Sequence, residues 1–322
     1  MILFSCDRLF CPRFYESEEI TSMNSPAASI FRALPMPARA KWRYASKLTQ
    51  ALEFDNPHWA VTRMRDGFRM TLNVAESYER IMYYSRVYAP WLAHVFKRVL
   101  QPGDTVIDGG ANIGYFSLLG AKRVGPGGAV HSFEPIPATF TQLSENIKLN
   151  GYSNVAANCN ALAAEAGQVE FEVPQERGTN ISLGRLATVV HSGRGPRVAV
   201  TTCSLDEYVA AAHIGEIKLA KLDLEGGELT AIRGMQRILS AHQIAYLICE
   251  LSLPILDQQG IPHSAQRDAL AAHGYQPYFI KVYGGIRRPM QVHFIPVQHM
   301  PIPEISGDYL YVAPGHPLPR MR

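Results

Sequence analysis

Two groups of residues have the types and spacing that chemistry needs. The first is the run Asp108-Gly109-Gly110-Ala111-Asn112-Ile113-Gly114, which closes a short apolar strand and opens a helical stretch. Glu134 answers it from the end of the next strand. Small residues in such a turn let the backbone approach a ligand closely, and the helix that follows points N–H groups at it. The second group is Lys221, Asp223 and Glu225, with Glu228 just beyond, at the end of a later strand. Alternation puts Lys221, Asp223 and Glu225 on one side if the extended conformation persists that far. Charges so placed are costly to bury unpaired, so they pair with each other or act on a substrate.

The turn discriminates between cofactors. A dinucleotide fingerprint, G-x-G-x-x-G, meets a pyrophosphate with backbone N–H groups. Here the Gly109 frame has Ala111 at its second glycine position and the Gly110 frame has Asn112 there. Asp108, just before the turn, would also repel a pyrophosphate. A sulfonium reverses the argument: S-adenosylmethionine has no phosphate and carries an ammonium and a positive sulfur, both favoured by a nearby carboxylate. Glu134 can accept both ribose hydroxyls. The turn therefore predicts S-adenosylmethionine as cofactor, with the ends of the neighbouring strands, Pro135, Asn160 and Ala161, beside it.

Methyl transfer is an in-line displacement, so a protein mainly holds the nucleophile about 3 Å from the methyl carbon and excludes water. A neutral alcohol also gives up a proton. Asp223 is the candidate base or hydroxyl orienter, Lys221 and Glu225 accompany it as catalytic candidates, and Glu225 and Glu250 are placed to order the site. His131 reads as a packed strand residue, whereas His191 and His263 could reach a substrate. Tyr83, Tyr84, Tyr88 and Trp91 either roof the substrate or pack a helix face. The loop with Arg177, Arg185, Arg194 and Arg197 either steers an anionic substrate or is a solvated basic segment. Neither a metal-binding spacing nor a G-x-S-x-G elbow is found.

Elements must position these groups. From Pro102 onward, strand, turn and helix alternate: TVIDGG, IGYFSLLGAKRV, AVHSFEP, ATFTQLSENIKLNG, NVAANCNALA, QVEFEV, KLAKLDLEGG, ELTAIRGMQRIL, IAYLICEL and SAQRDALAAHG, then YQPYFI and DYLYVAP. Such alternation predicts βαβ units and a mostly parallel sheet with helices on both faces. Upstream, VTRMRDGFRMTLNV predicts a hairpin about Asp66-Gly67, and apolar residues at helical spacing from Glu76 to Leu100 predict one or two helices, broken at Pro90. The organisation read is an arm or linker over 1–60, a hairpin and helical cap over 61–100, and a cofactor-binding domain over 101–315.

Bulk properties exclude several classes. The chain has 322 residues, 47% of them hydrophobic, and a net charge of +3. A sizeable core is affordable, and no basic stripe argues for nucleic acid. No apolar run is long enough to span a bilayer. The start, MILFSCDRLFCPRF, is interrupted by Asp7 and Arg8 and reads as no signal peptide. Cys6, Cys11, Cys159, Cys203 and Cys249 are odd in number and scattered, which fits reduced thiols and a cytoplasmic protein.

The ordered motifs resemble those of the FkbM family of class I methyltransferases. TVIDGGANIGYFSLL is similar to its first motif, VHSFEP to its second, and KLDLEGGEL followed by IRG to its KxDxEGxE…G block. LSENIKLNG, Asn160-Ala161, TTCSLDEY, ICE and the upstream SYERIMYYSRVYAPWL fall in the expected order, so the resemblance covers about 80–313. Gly109, where Val or Ile is common, and Leu222, where Ile or Val is common, are mild departures. The resemblance implies a Rossmann-like fold with a seven-stranded, mostly parallel sheet. It also implies that Asp108, Gly110, Asn112, Gly114 and Glu134 bind the cofactor. With Gly109, Ala111, Pro135, Asn160, Ala161 and Asp223 these make up the expected cofactor site. The activity implied is chiefly O-methylation of hydroxyls on sugars and polyketide-type products, with nitrogen of a peptide amide or amine the alternative acceptor. A methyltransferase fold acting only as a binding partner is the reading from another class. The expected partner is a small-molecule or peptide methyl acceptor, with no nucleic acid and no membrane span. Oligomeric state stays open, a homodimer included.

Overall fold

The structure, a computed structural model, describes residues 26–49, 58–173, 185–186, 196–285, 289–300 and 304–321. Helices α1 (Pro26–Ala33) and α2 (Ala38–Thr49) precede a hairpin of β1 (Trp59–Arg63) and β2 (Arg69–Asn73), then α3 (Ser77–Ser85) and α4 (Pro90–Val99). The hairpin turns at Asp66-Gly67, and Val61 pairs with Thr71. Pro90 sits in the first turn of α4, where its missing N–H costs nothing.

The alternating region then runs β3 (Thr105–Gly109), α5 (Tyr115–Val124), β4 (Ala129–Phe133), α6 (Pro137–Asn150), β5 (Val155–Asn158), β6 (Ala161–Leu162), β7 (Gly167–Glu172), β8 (Arg185–Leu186), β9 (Arg197–Cys203), α7 (Leu205–Ala211) and β10 (Ile217–Leu222). It continues through α8 (Glu228–Arg233), α9 (Gln236–Ser240), β11 (Ile244–Leu251), α10 (Leu253–Gln259), α11 (Ala265–Ala271), β12 (Gln276–Tyr283), β13 (Gln291–Pro296) and β14 (Gly307–Val312).

The main sheet has the order β13-β12-β14-β11-β10-β3-β4-β5. Its five strands from β5 to β11 are parallel, and β14 inserts antiparallel between β11 and β12. Strands buried on both faces read as continuous apolar runs, as IAYLICEL does. Apolar side chains gather in two large clusters. One joins the cap to α5 and α6 around Phe68, Phe96 and Leu118, and the other lies around Ile107, Leu222 and Leu239.

Four expectations differ from this. The main sheet has eight strands, because QVHFIP adds β13 at its edge, where the closing Pro296 breaks no interior ladder. NVAANCNALA is split between sheets: β5 joins the main sheet, while β6 starts a separate four-stranded one of order β6-β9-β7-β8. ELTAIRGMQRIL is two short helices, parted at Gly234, where a Cβ would lie 1.9 Å from the Ala163 carbonyl oxygen. The strand through Lys221 stops at Leu222, so the alternation does not persist to Glu225, which takes a left-handed φ of 52°. Among the described residues no helix is long and apolar enough to cross a membrane.

Candidate active site

The glycine-rich turn is stitched to the end of β4. Gly110 and Ala111 donate their N–H groups to the Phe133 carbonyl at 3.0 and 2.9 Å, and Asn112 donates to Glu134 Oε2 at 2.9 Å. Glu134 Oε1 accepts from the N–H of Ile136 at 2.9 Å. The N–H groups expected to face a ligand are thus largely spent inside the protein, and Glu134 braces the turn while also reaching the cavities. Burial pushes the Glu134 carboxyl up to about 7 against these two hydrogen bonds. Asn112 adopts a left-handed φ of 52°, which Asn tolerates better than most residues. Gly110 has a φ of +72°, and a Cβ there would lie 1.8 Å from the Asp223 carbonyl oxygen. Only glycine lets the first turn and the end of β10 approach this closely.

Beneath the turn, Asp108 is fully buried. Ser117 donates to its Oδ2 at 2.6 Å, and Ser132 donates in turn to Ser117. Lys221 lies directly across the β3–β10 ladder from Asp108, with Nζ 3.9 Å from Oδ1. The same ammonium is 3.1 Å from Asp223 Oδ2 and 5.3 Å from the centre of the Phe116 ring. Burial holds the Asp108 carboxyl above its ordinary range despite Lys221. At Asp223 burial pushes the same way but Lys221 and a hydrogen bond with Glu250 win, so its pKa is lowered. Burial alone would lower the lysine; Asp223 and Asp108 outweigh it and raise its pKa. Lys221–Asp223 is therefore the operative ion pair.

Two cavities meet at this point. A largely apolar one of about 80 Å³ is walled by Phe133, Pro135, Ile136, Asn160, Ala161 and Leu162, among others. A more polar one of about 150 Å³ is walled by Tyr78, Tyr88, Ala111, Asn112, Phe116, Lys221 and Glu250, among others. Gly110, Glu134, Asp223 and Glu225 belong to both. Of the residues expected to hold a cofactor, Asp108, Gly109 and Gly114 are on neither wall. They lie beneath or beside the turn, and Gly114 starts α5. Glu228 is turned inward and accepts the Leu224 N–H at 2.7 Å, closing the turn that carries Glu225.

Other candidates fall elsewhere. His131 hydrogen-bonds Tyr208 at 2.9 Å on β4, and His263 meets Asp257 at 2.7 Å; neither lines either of these two cavities. His191, Arg177 and Arg194 lie outside the described residues, as do Cys6, Cys11 and the side chain of Arg185. Arg197 pairs with Glu170 at 3.2 Å. Tyr83 and Tyr84 pack in the core, whereas Tyr88 reaches the polar cavity, as does Tyr78. Trp91 donates its indole N–H to Asp308 Oδ2 at 2.8 Å. Sequence reasoning missed Tyr78 and Asp308. Asp308 was hidden in a strand valued for its aromatic pattern, and only the β11–β14 pairing puts it opposite Glu250.

A parallel five-strand core with an antiparallel strand inserted beside it, and a small-residue turn answered by an acid on the next strand, define the Rossmann-like fold of the class I methyltransferases. The model of the Methyltransferase FkbM domain matches residues 108–277, just over half of the chain. The protein belongs to the FkbM methyltransferase family. Among curated relatives, 31-O-demethyl-FK506 methyltransferase FkbM of Streptomyces tacrolimicus is 44% identical over 161 residues, covering 42% of this chain and 61% of its own. Methyltransferase 1 of Beauveria bassiana is 28% identical over 154 residues, covering 42% and 59%. The hexuronic acid methyltransferase AglP of Haloferax volcanii is 28% identical over 151 residues, covering 47% and 57%. The match thus spans about 60% of the length of these relatives. A solved FkbM methyltransferase from Methylobacillus flagellatus aligns over 84% of this chain and 58% of its own at 15% identity, with a TM-score of only 0.39.

Proposed function

We propose that this protein transfers a methyl group from S-adenosylmethionine to a hydroxyl of a small molecule, a sugar or a natural product. The observation that carries the reading is the pair of cavities joined at Gly110, Glu134, Asp223 and Glu225. The walls suit the cofactor on chemical grounds. The apolar cavity offers a slot for a planar base, and Glu134 keeps lone pairs beyond the two it uses, as a ribose needs. Among the described residues Lys221 is the one lysine on the polar wall and it is bound to Asp223, so a phosphate is disfavoured there, whereas a cation is favoured.

When bound, the sulfonium supplies a methyl carbon open to displacement. The chain's own residues do the rest. Glu134 would hold the cofactor, with the Gly110–Asn112 turn packed closely against it and Pro135, Asn160 and Ala161 closing the apolar end. Asp223, fixed by Lys221, orients the acceptor hydroxyl by accepting its hydrogen bond. Glu225 contributes to the same wall, while Tyr78, Tyr88 and Phe116 keep water out. An oxygen acceptor is also supported by the relative named for position 31-O of FK506.

Isothermal titration with S-adenosylmethionine tests the reading: binding is expected, and a folded sample that binds neither it nor S-adenosylhomocysteine sinks it. The carboxylates of the polar cavity equally suit an amine, the second reading. Fragment mapping of the methylated product by mass spectrometry separates oxygen from nitrogen. Cofactor binding without turnover on a broad acceptor panel would favour a binding protein instead.

A further inference from the structure

The polar cavity carries more carboxyls than its cations balance. Lys221 is the only cation on its wall among the described residues, and it is committed to Asp223 at 3.1 Å. Glu250 lines the same wall and is hydrogen-bonded to Asp223. Asp308 stands directly across the β11–β14 ladder from Glu250. Residues so paired share a face, with Cβ atoms about 5 Å apart. Glu225 from the turn and the phenols of Tyr78 and Tyr88 from the cap complete the titratable surroundings of Glu250, and Trp91 donates its indole N–H to Asp308.

Three carboxyls in a row against one ammonium do not all ionise, because neighbouring like charges push one pKa up strongly. Glu250, flanked on both sides, is the member that keeps a proton. Its pKa is indeed held well above the ordinary carboxyl range, by burial first and then by Asp223. A cation entering the cavity removes the reason for that proton, since an opposite charge within about 4–6 Å favours the ionised form.

We propose that Glu250 exchanges a proton in step with the charge on the cofactor's sulfur, releasing it when the sulfonium enters and regaining one when the sulfur becomes neutral. This rests on the cofactor reading above. In the transfer, the acceptor oxygen forms its bond to the methyl carbon and the carbon–sulfur electron pair stays on sulfur. The hydroxyl proton set free is taken up by Glu250, directly or through Asp223. The carboxyl is neutral again in the product state, and the neutral-sulfur product loses an attraction that the cofactor enjoyed. The cofactor thereby generates the base that its own reaction consumes.

The test compares S-adenosylmethionine with S-adenosylhomocysteine by isothermal titration at pH 7 in phosphate and in Tris. The dependence of the heat on buffer ionisation counts protons. We expect about one more proton released with S-adenosylmethionine than with S-adenosylhomocysteine, and an affinity ratio between them that rises about tenfold per pH unit. Glu250→Gln should abolish that difference while still binding both. Equal proton counts for the two ligands, or a difference that persists in Glu250→Gln, overturns the proposal. Absence of binding by either ligand to the folded protein instead overturns the cofactor reading, and the proposal with it. The wild-type comparison decides the matter even where the variant does not fold.

Discussion

Asp223 carries two duties, and substitution separates them. Its side chain balances Lys221 and faces both cavities, while its backbone carbonyl is the wall against which Gly110 packs. Asp223→Asn keeps the shape but takes from the buried ammonium its nearer counterion, leaving only Asp108 at 3.9 Å, and leaves the acceptor hydroxyl without a charged partner. A drop in kcat on the order of 10²–10⁴ is expected, with cofactor affinity far less affected; steady-state kinetics beside titration reads the split. Gly110→Ala works the other way. It forces a Cβ into the Asp223 carbonyl at a positive φ, so cofactor Kd should rise more than tenfold. Stability should fall by roughly 1–3 kcal/mol, read from urea denaturation. Glycine at 110 and acid at 134 were legible in the sequence, because a turn and a strand end are local features. The internal use of the Gly110, Ala111 and Asn112 N–H groups was not, since it depends on how closely the end of β4 returns to the turn.

The cap is fastened to the core at both ends by polar contacts, buried at one end and part-buried at the other. Glu79 of α3 accepts the Asn73 N–H of β2 at 2.6 Å and the Gln142 amide of α6 at 2.7 Å. At the other end Trp91 of α4 holds Asp308, and Trp42 of α2 meets Trp91 edge-on with ring centres 5.2 Å apart. Trp91→Phe should therefore leave Asp308 short of a donor, costing about 1–3 kcal/mol in chemical denaturation. Asp308→Asn, which can still accept from the indole, should cost less. Helix spacing and Pro90 were enough to foresee α3 and α4, and Asp66-Gly67 to foresee the hairpin. The small sheet of β6, β7, β8 and β9 was not foreseen, because alternation shows that a strand forms but not which sheet receives it. Likewise nothing local links Trp91 to Asp308, which lie on elements far apart in the chain.

Across the whole molecule, buried carboxyls set an unusual pH response. Burial first, in each case, raises Glu79 to about 8, Glu134 and Glu228 to about 7, and Asp308 to about 6. Folding thus favours their protonated forms, and the folded state binds more protons than the unfolded one above the ordinary carboxyl range. Stability is then lost as pH rises from about 4.5, steeply through the range of these four and on toward about 10, where Glu250 is held. His94 and His131, lowered chiefly by burial, oppose this only as pH rises through their own range. Without ligand, the protein should melt several degrees lower at pH 8 than at pH 5.5 by calorimetry. A cofactor-saturated sample should recover part of that loss, by mass action on the folded state.

The place of β14 in the sheet bears on how the chain is made. It follows β12 and β13 in sequence yet lies between β12 and β11. During synthesis the β12–β13 ribbon leaves the ribosome before the strand that joins it to the sheet, and β11 meanwhile presents an open edge. When Gly307–Val312 arrives, a single insertion closes that edge, docks the ribbon, and brings Asp308 against Glu250 and Trp91. The nascent chain is therefore exposed to strand-pairing errors up to the moment Asp308 is set behind Glu250 of the polar cavity. A ligand that binds beside Glu250 should favour chains in which the insertion has taken place.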